Sequence, residues 1–125
     1  MMRVILSLGS NHGERSEQLE KAIDWLGGIL YNINVSKIYE TPCALKQGLP
    51  YLNCVVGCEA DIPIENLDHL LKEYENQNGR TKECRESGKV PIDIDIVMAD
   101  NKVLKEWDFR QNFFKIGYLD ITSNI

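Results

Sequence analysis

The stretch PIDIDIVMAD, residues 91–100, limits most narrowly what this chain can fold into. Apolar residues alternate with the carboxylates Asp93 and Asp95, and this period of two is typical of a β-strand with one buried face. Strands disfavour aspartate, however, and residues i and i+2 project from the same face with Cα atoms roughly 6.6 Å apart. Carboxylates so close together repel each other unless a cation neutralises them. The stretch therefore predicts a strand with an unusual charged face.

The strand alone leaves two interpretations of this aspartate pair open. Asp93 and Asp95 could form the solvated face of an edge strand, or they could hold Mg²⁺, which binds a few carboxylates and completes its shell with water and phosphate oxygens. The preceding segment favours Mg²⁺, because cationic side chains beside a metal are suited to polyphosphates. Its acidic residues Glu83 and Glu86 instead favour an ordinary charged loop. The cations are Arg80, Lys82, Arg85 and Lys89.

The remaining patterns predict an order of strands and helices. Stretches rich in β-branched and aromatic residues predict strands at residues 3–10, 35–41, 51–60 and 91–100. Residues 102–107 predict a short fifth strand, and apolar residues at helical spacing predict helices from 14 to 26 and from Pro63 to Gly79. Residues 43–50 and 79–90 are predicted as loops. The order β-α-β-β-α-β is the split βαβ pattern, which predicts an α+β, ferredoxin-like fold with helices packed on a mainly antiparallel sheet.

Size, charge and cysteine spacing limit the class of protein. At 125 residues the chain fits a single domain, 1–125, and is too short for two. Its net charge of −5 argues against general affinity for nucleic acid or anionic membranes, and no apolar run approaches the ~20 residues of a membrane helix. Cys54 and Cys58 would lie roughly 13 Å apart on a strand, too far for a disulfide. We expect a cytoplasmic monomer with reduced thiols.

Five short motifs occur in order along the chain: LSLGSN, IYETP, YLN, GR and DIDI. Through them the chain resembles the 6-hydroxymethyl-7,8-dihydropterin pyrophosphokinase family over residues 3–100. Members of that family transfer a diphosphate from ATP to a pterin alcohol in folate biosynthesis, and their fold is ferredoxin-like α+β. The resemblance implies the same fold and reaction here, with a pterin substrate, ATP as co-substrate and Mg²⁺ as cofactor.

The resemblance also implies roles for individual residues. Asp93 and Asp95 would hold two Mg²⁺ ions that bridge the ATP phosphates. Arg80 matches the arginine at the start of the family's catalytic loop, and Lys89 would act as a second catalytic cation. The ATP-binding residues would be Glu75, Lys82 and Trp107. The pterin would be bound by backbone and amide groups and stacked between aromatic rings, in a pocket of Thr41, Pro42, Tyr51, Asn53 and Phe114. The alternatives are a core position for Tyr51 and a C-terminal core plug for Phe113 and Phe114.

This chain departs from the family at its ATP-site cations. The family's loop carries a tryptophan and then Gly-Pro-Arg before the aspartate strand, whereas residues 87–90 here read SGKV. The family's histidine-tyrosine pair and the arginine that follows it fall near Glu106, Trp107 and Asn112, so that an aromatic ring is kept and the cations are lost. Lys89 would replace the missing arginine only as a point charge. The alternative to an active enzyme is a catalytically weak or inactive relative that binds a pterin or a nucleotide.

Overall fold

A computed structural model describes residues 1–43 and 48–123. Residues 44–47 of the predicted loop at 43–50 lie outside the described residues. The strands are β1 (Met2–Ser10), β2 (Tyr31–Val35), β3 (Tyr39–Thr41), β4 (Tyr51–Ala60), β5 (Asp93–Ala99) and β6 (Lys102–Val103). The helices are α1 (Arg15–Gly27), α2 (Ile64–Gln77), α3 (Lys82–Ser87), α4 (Glu106–Phe109) and α5 (Asn112–Thr122).

The described strands form one antiparallel sheet in the order β2-β4-β1-β5-β6, and β3 also pairs with β4. The predicted α+β class is confirmed, and so is the short strand after β5. The single strand predicted at 35–41 is wrong, because β2 ends at Val35 and β3 begins at Tyr39. Between them the Ser36 hydroxyl accepts a hydrogen bond from the Val55 amide at 2.8 Å, in place of a backbone carbonyl. The element order is thus longer than the predicted series, and the ferredoxin-like order stays a prediction.

Each face of the sheet is covered by helices. Helices α1 and α2 bury Leu19, Leu26, Leu67 and Leu71 against one face, as their apolar spacing predicts. The rings of these two helices also stack, with the centroids of Trp25 and Tyr74 4.4 Å apart. Helix α5 covers part of the other face, where Phe114 packs with Ile5, Val55, Val97 and Met98. The central strand β1 is buried from Val4 to Ser10 because it has neighbours on both faces.

Three helices lie where the sequence patterns predict none, namely α3, α4 and α5, and α4 begins at Glu106 within the strand predicted at 102–107. Helix α3 interrupts the predicted loop at 79–90, and it is six residues long and largely exposed. Helix α5 follows the last predicted strand. Its residues Phe114, Gly117, Tyr118 and Ile121 face the sheet at the spacing i, i+3, i+4, i+7, which is the signal that indicates such a helix in the sequence.

The four cysteines form no disulfide in the structure, and the expectation of reduced thiols stays a prediction. Cys54 and Cys58 are buried on β4, and burial raises the pKa of Cys54 to about 12 and that of Cys58 to about 11. Both side chains therefore act as small apolar groups of the core. Separately, within the described residues there is no helix whose length and apolar character would let it cross a membrane.

Candidate active site

The floor of the candidate site lies where β4, β1 and β5 run side by side. Gly9 of β1 is opposite Asn53 on β4 and opposite Asp93 on β5, and Ser7 is opposite Asp95. Directly opposed residues of antiparallel strands project from the same face. Asn53 and both aspartates therefore open on one side of the sheet, and the sequence's separate motifs LSLGSN, YLN and DIDI form one surface.

A cavity of about 200 Å³ stands above this floor. Its walls combine the aspartate pair with aromatic and small polar side chains, so that an apolar ring and a charged group could be bound side by side. Of the residues predicted for the site, Thr41, Pro42, Tyr51, Asn53, Asp93, Asp95 and Trp107 line the cavity. The cavity is also lined by residues to which the sequence patterns assigned no role in the site: Ser7, Leu8, Gly9, Cys43, Asp108 and Phe113, the last of which was considered a core residue.

Asn53 is held rigidly at one end of this cavity. It is 3% exposed, and its Nδ2 donates to Thr41 Oγ1 at 2.8 Å and to the carbonyls of Tyr39 and Tyr51 at 3.3 Å each. Its Oδ1 makes no hydrogen bond with the described residues and is available to a ligand's N–H group. A buried amide fixed in this way is suited to reading the edge of a heterocycle.

Gly9 lies in β1, within the strand predicted at residues 3–10. A Cβ atom at Gly9 would stand 3.1 Å from Cδ2 of Tyr51 and 3.5 Å from Oδ1 of Asn53. Only a residue without a side chain lets the Tyr51 ring approach the floor so closely. Burial and the nearby Asp93 raise the pKa of Tyr51 to about 12, so its hydroxyl stays protonated at neutral pH.

The aromatic residue that faces Tyr51's pocket from α5 is Phe113, and the predicted Phe114 does not fit that role. Phe114 is fully buried in the core beneath α5, and its ring stacks on Tyr118 with centroids 5.3 Å apart. A ring without exposed surface cannot stack on a ligand, and the core alternative considered for this residue is the one observed. Phe113 lines the cavity, and its ring lies 6.0 Å from that of Trp107.

Tyr39 fixes the backbone that carries Phe113. Its hydroxyl donates to the Phe113 carbonyl at 2.6 Å and accepts a hydrogen bond from the Gly117 amide at 3.0 Å. Burial raises the pKa of Tyr39 to about 12, so the donor is kept at neutral pH. The first turn of α5 is therefore attached to β3 beside the cavity.

The charged half of the site is a network of three carboxylates and three cations. Arg80 Nη1 lies 2.6 Å from Asp93 Oδ1 and 3.0 Å from Glu75 Oε1. Asp95 Oδ1 accepts from two ammonium groups, Lys105 Nζ at 2.7 Å and Lys72 Nζ at 3.3 Å. The sequence analysis expected few cations here and missed both lysines. Lys72 was detectable, since it lies one helical turn before Glu75 on α2, whereas the chain path that brings Lys105 beside β5 has no sequence signal.

The two aspartates differ in acidity. Burial and the neighbouring Asp95 raise the pKa of Asp93, and the Arg80 guanidinium offsets this only in part. Burial acts on Asp95 in the same direction, but a hydrogen bond with Asp93 and the charges of Lys72 and Lys105 outweigh it and lower the pKa of Asp95. Asp95 is therefore the more acidic member of the pair, and Asp93 holds a proton more readily.

Glu75 lies below the aspartates and not at the cavity wall. The residue is 2% exposed, and its carboxylate accepts from the Ile94 amide at 2.7 Å, from Lys72 at 3.3 Å and from Arg80 at 3.0 Å. With its oxygens occupied by protein donors, it does not fit the predicted direct contact with ATP. The Glu75 carboxylate instead holds β5 through the Ile94 amide and orients Lys72 and Arg80.

The other predicted ATP-site residues are exposed. Trp107 is 52% exposed at the rim of the cavity. Lys82 on α3 and Lys89 after it are exposed, and neither side chain pairs with a carboxylate of the described residues. The structure therefore brings Arg80 to the aspartate pair but does not bring Lys82 or Lys89 to it.

Contacts of the described residues hold both ends of the segment that carries α3. Gly79 and Gly88 have φ of 100° and 74°, in the left-handed region that favours glycine. Arg80 holds the first end through its ion pairs, and Asn11 holds the second. Asn11 donates from Nδ2 to the Gly88 carbonyl at 3.0 Å, and its Oδ1 accepts from the Val90 amide at 2.5 Å.

The donor set suits a hard divalent cation that is completed by a ligand. Within the part of the chain that is described, no group of three or more His, Cys, Asp or Glu side chains forms a metal site. The two aspartates that line the cavity would leave most of the coordination shell of Mg²⁺ to water and phosphate. Arg80 Nε is buried and has no hydrogen-bond partner among the described residues.

Comparison with known proteins agrees with this arrangement. A sequence model of the 7,8-dihydro-6-hydroxymethylpterin-pyrophosphokinase (HPPK) family matches residues 5–123. A 2-amino-4-hydroxy-6-hydroxymethyldihydropteridine pyrophosphokinase of Porphyromonas gingivalis is 36% identical over 107 residues, covering 78% of this chain and 69% of that protein. The enzyme of the same name from Aquifex aeolicus is 29% identical over 134 residues, covering 100% of this chain and 83% of that protein. The chain therefore belongs to the HPPK family.

Proposed function

We propose that this protein transfers the terminal diphosphate of ATP to the hydroxymethyl group of 6-hydroxymethyl-7,8-dihydropterin, a step of folate biosynthesis. The observation that supports this most strongly is the single cavity in which an aromatic pocket adjoins Asp93 and Asp95. A pterin alcohol and a metal-bound triphosphate need those two halves in contact. Family membership and the names of the relatives support the same reaction.

The aromatic half binds the pterin. Its ring lies between Tyr51 and Phe113, which replaces Phe114 in this role, and stacking of aromatic rings stabilises such a sandwich. Thr41, Pro42 and Asn53 surround the edge of the heterocycle. Asn53 Oδ1 accepts hydrogen bonds from the N–H groups of the pterin. The floor at Gly9 sets the depth to which the ring enters.

The charged half binds ATP. Asp93 and Asp95 would hold two Mg²⁺ ions, which supply charge neutralisation to the triphosphate. Arg80 orients a phosphate through donors that its ion pairs leave free, while Glu75 keeps the guanidinium in place. Trp107 covers the cavity rim, and Lys82 and Lys89 reach the phosphates when the segment of α3 closes over them.

The reaction itself is an in-line displacement. The hydroxymethyl oxygen forms a bond to the β-phosphorus while the bond from that phosphorus to the α,β-bridging oxygen breaks. AMP leaves with the bridging oxygen and its electron pair, and the alcohol proton passes to water. Positioning of the two substrates and neutralisation of charge account for the catalysis that this site can provide.

Calorimetric titration with the pterin alone, with MgATP alone and with both tests the proposal. We expect both ligands to bind and each to strengthen the other, because they share one cavity. Pterin binding without MgATP binding would contradict the proposal and support the alternative of an inactive relative that binds the pterin. Val90, which stands at the family's arginine position, favours that alternative.

We further propose a cytoplasmic monomer without a nucleic-acid or membrane partner. Free cysteines and a net charge of −5 support this, and the cavity is built within one chain. Size-exclusion chromatography with light scattering should give the mass of one chain, and a stable dimer would contradict it.

A further inference from the structure

Two lysines neutralise the same carboxylate oxygen, but they are held very differently. Lys72 Nζ has three acceptors, namely Asp95 Oδ1 at 3.3 Å, Glu75 Oε2 at 3.3 Å and the Ile94 carbonyl at 3.2 Å. Among the described residues, Lys105 Nζ has one hydrogen-bond acceptor, Asp95 Oδ1, at 2.7 Å. Lys72 is therefore a fixed part of the network, whereas the ammonium group of Lys105 depends on one contact.

Lys105 can leave that contact at small cost. Its side chain is 42% exposed, and ion pairs with so much access to water contribute little. Its backbone is anchored beside β5, since its amide donates to the Val97 carbonyl at 3.3 Å and its carbonyl accepts from the Phe109 amide at 3.0 Å. The ammonium group can thus swing on its flexible stem while staying next to the aspartate pair.

We propose that Lys105 is a tethered counter-ion which holds Asp95 in the metal-free protein and moves to the ATP phosphates when Mg²⁺ takes Asp95. This rests on the proposed function, since it names a cation for the ATP that the reaction uses. The Lys105 side chain then neutralises the Asp95 carboxylate first and the ATP phosphates afterwards. In the metal-free protein it keeps Asp95 neutralised, and in the complex it replaces a phosphate-binding cation that the family's motif leads one to expect and this sequence lacks.

Removing the Lys105 ammonium group should change the affinities for Mg²⁺ and for ATP in opposite directions. Lys105→Met removes the competitor for Asp95 Oδ1, so Mg²⁺ alone should bind several-fold more tightly. The same change removes a charge-assisted contact to phosphate, so at saturating Mg²⁺ the affinity for ATP should fall about 10-fold. A lysine that merely stabilises the fold would not separate the two ligands.

Isothermal titration of the whole protein, first with MgCl₂ alone and then with ATP at saturating Mg²⁺, measures both effects. Lys102→Met is the matched control, because it removes the same charge from an exposed residue of β6, and neither affinity should change appreciably. Lys105→Arg keeps the charge and should stay within a few-fold of wild type for both ligands. Thermal melts in EDTA show whether each variant is folded.

Several results would overturn the proposal: equal behaviour of Lys105→Met and Lys102→Met, a change of the same sign for both ligands, or no Mg²⁺ binding to wild type. Failure of the proposed function looks different. If wild type binds MgATP but releases no AMP with the pterin, the reaction is refuted while both binding effects of Lys105 can still be measured. If wild type releases AMP and Lys105→Met binds like the control, only the role of Lys105 is refuted.

Discussion

Asp95 Oδ1 accepts from two ammonium groups, and Arg80 stands against Asp93 in the same network. From the sequence alone, Asp93 and Asp95 are two carboxylates that repel each other, so removing either one would be expected to stabilise the folded protein. The observed cations reverse that expectation. Removing Asp95 would leave each of the two lysines beside it with one acceptor fewer, and the two attractions lost outweigh the single repulsion relieved.

Asp95→Asn should therefore lower the stability of the metal-free protein by about 1–2 kcal/mol, a value reduced for the partial exposure of both lysines. It should also abolish the stabilisation that Mg²⁺ gives to wild type. Urea unfolding in EDTA and in millimolar Mg²⁺ measures both effects. Asp24→Asn, an exposed position on α1, is the control with the same change of charge. An Asp95→Asn protein as stable as wild type in EDTA would contradict the role of the network.

Gly9→Ala tests the geometry of the pterin pocket. The new methyl group would stand 3.1 Å from the Tyr51 ring, which must move into the cavity. We expect the affinity for the pterin to fall about 10-fold, equivalent to roughly 1.4 kcal/mol, while ATP binding changes little. Gly27→Ala is the control, since a methyl group there would meet nothing within 4 Å. Pterin affinity unchanged in Gly9→Ala, measured by calorimetry, would mean that the ring does not rest on this floor.

Among the elements, the segment from Gly79 to Val90 is the least firmly anchored in the core. Helix α3 is six residues long and exposed, and isolated helices of that length are marginal in water. Its ends are fixed by Arg80 and Asn11, and its cations Lys82 and Lys89 face water. These features are those expected of a segment that opens readily and orders over a bound ligand.

Asn11→Ala should loosen the second end of this segment, because the Gly88 carbonyl and Val90 amide lose their side-chain partners. We expect trypsin to cut at Lys82 or Lys89 several-fold faster than in wild type. Pterin with MgATP should slow cleavage of wild type. Asn66→Ala, at an exposed position of α2, should cleave at the wild-type rate. Equal cleavage of wild type with and without both ligands would contradict a closing segment.

The Tyr39 hydroxyl is one of the contacts that place helix α5, beside the packing of Phe114 and the hydrogen bond from the Lys37 amide to Asp120. Tyr39→Phe would leave the Phe113 carbonyl and the Gly117 amide without that partner, which costs roughly 1–3 kcal/mol. Because Phe113 lines the cavity, pterin affinity should fall together with the free energy of unfolding. Tyr31→Phe, whose hydroxyl bonds Asp61 at the surface, should change neither quantity. Loss of stability with full pterin affinity would show that Tyr39 does not position Phe113.

The whole molecule brings together residues that are distant in sequence, and this decides what the sequence alone could predict. Alternation and helical spacing identify β1, β4, β5, α1 and α2, because burial imposes those periods. Three of the five motifs, LSLGSN, YLN and DIDI, identify the cavity's floor. Helical periodicity does not distinguish Phe113 from Phe114, since neighbouring positions differ only in which face meets the sheet. Lys105 escapes prediction because only the chain's path after β5 places it beside Asp95.

Pterin-dependent release of AMP tests the central claim most directly. Purified protein with MgATP and 6-hydroxymethyl-7,8-dihydropterin should form AMP in amounts equal to the pterin consumed. AMP formation should stop when pterin is omitted, when EDTA is added, or when Asp95→Asn replaces wild type. If folded wild-type protein binds the pterin in the same buffer and releases no AMP, the protein is a binder of pterin and the proposed reaction is wrong.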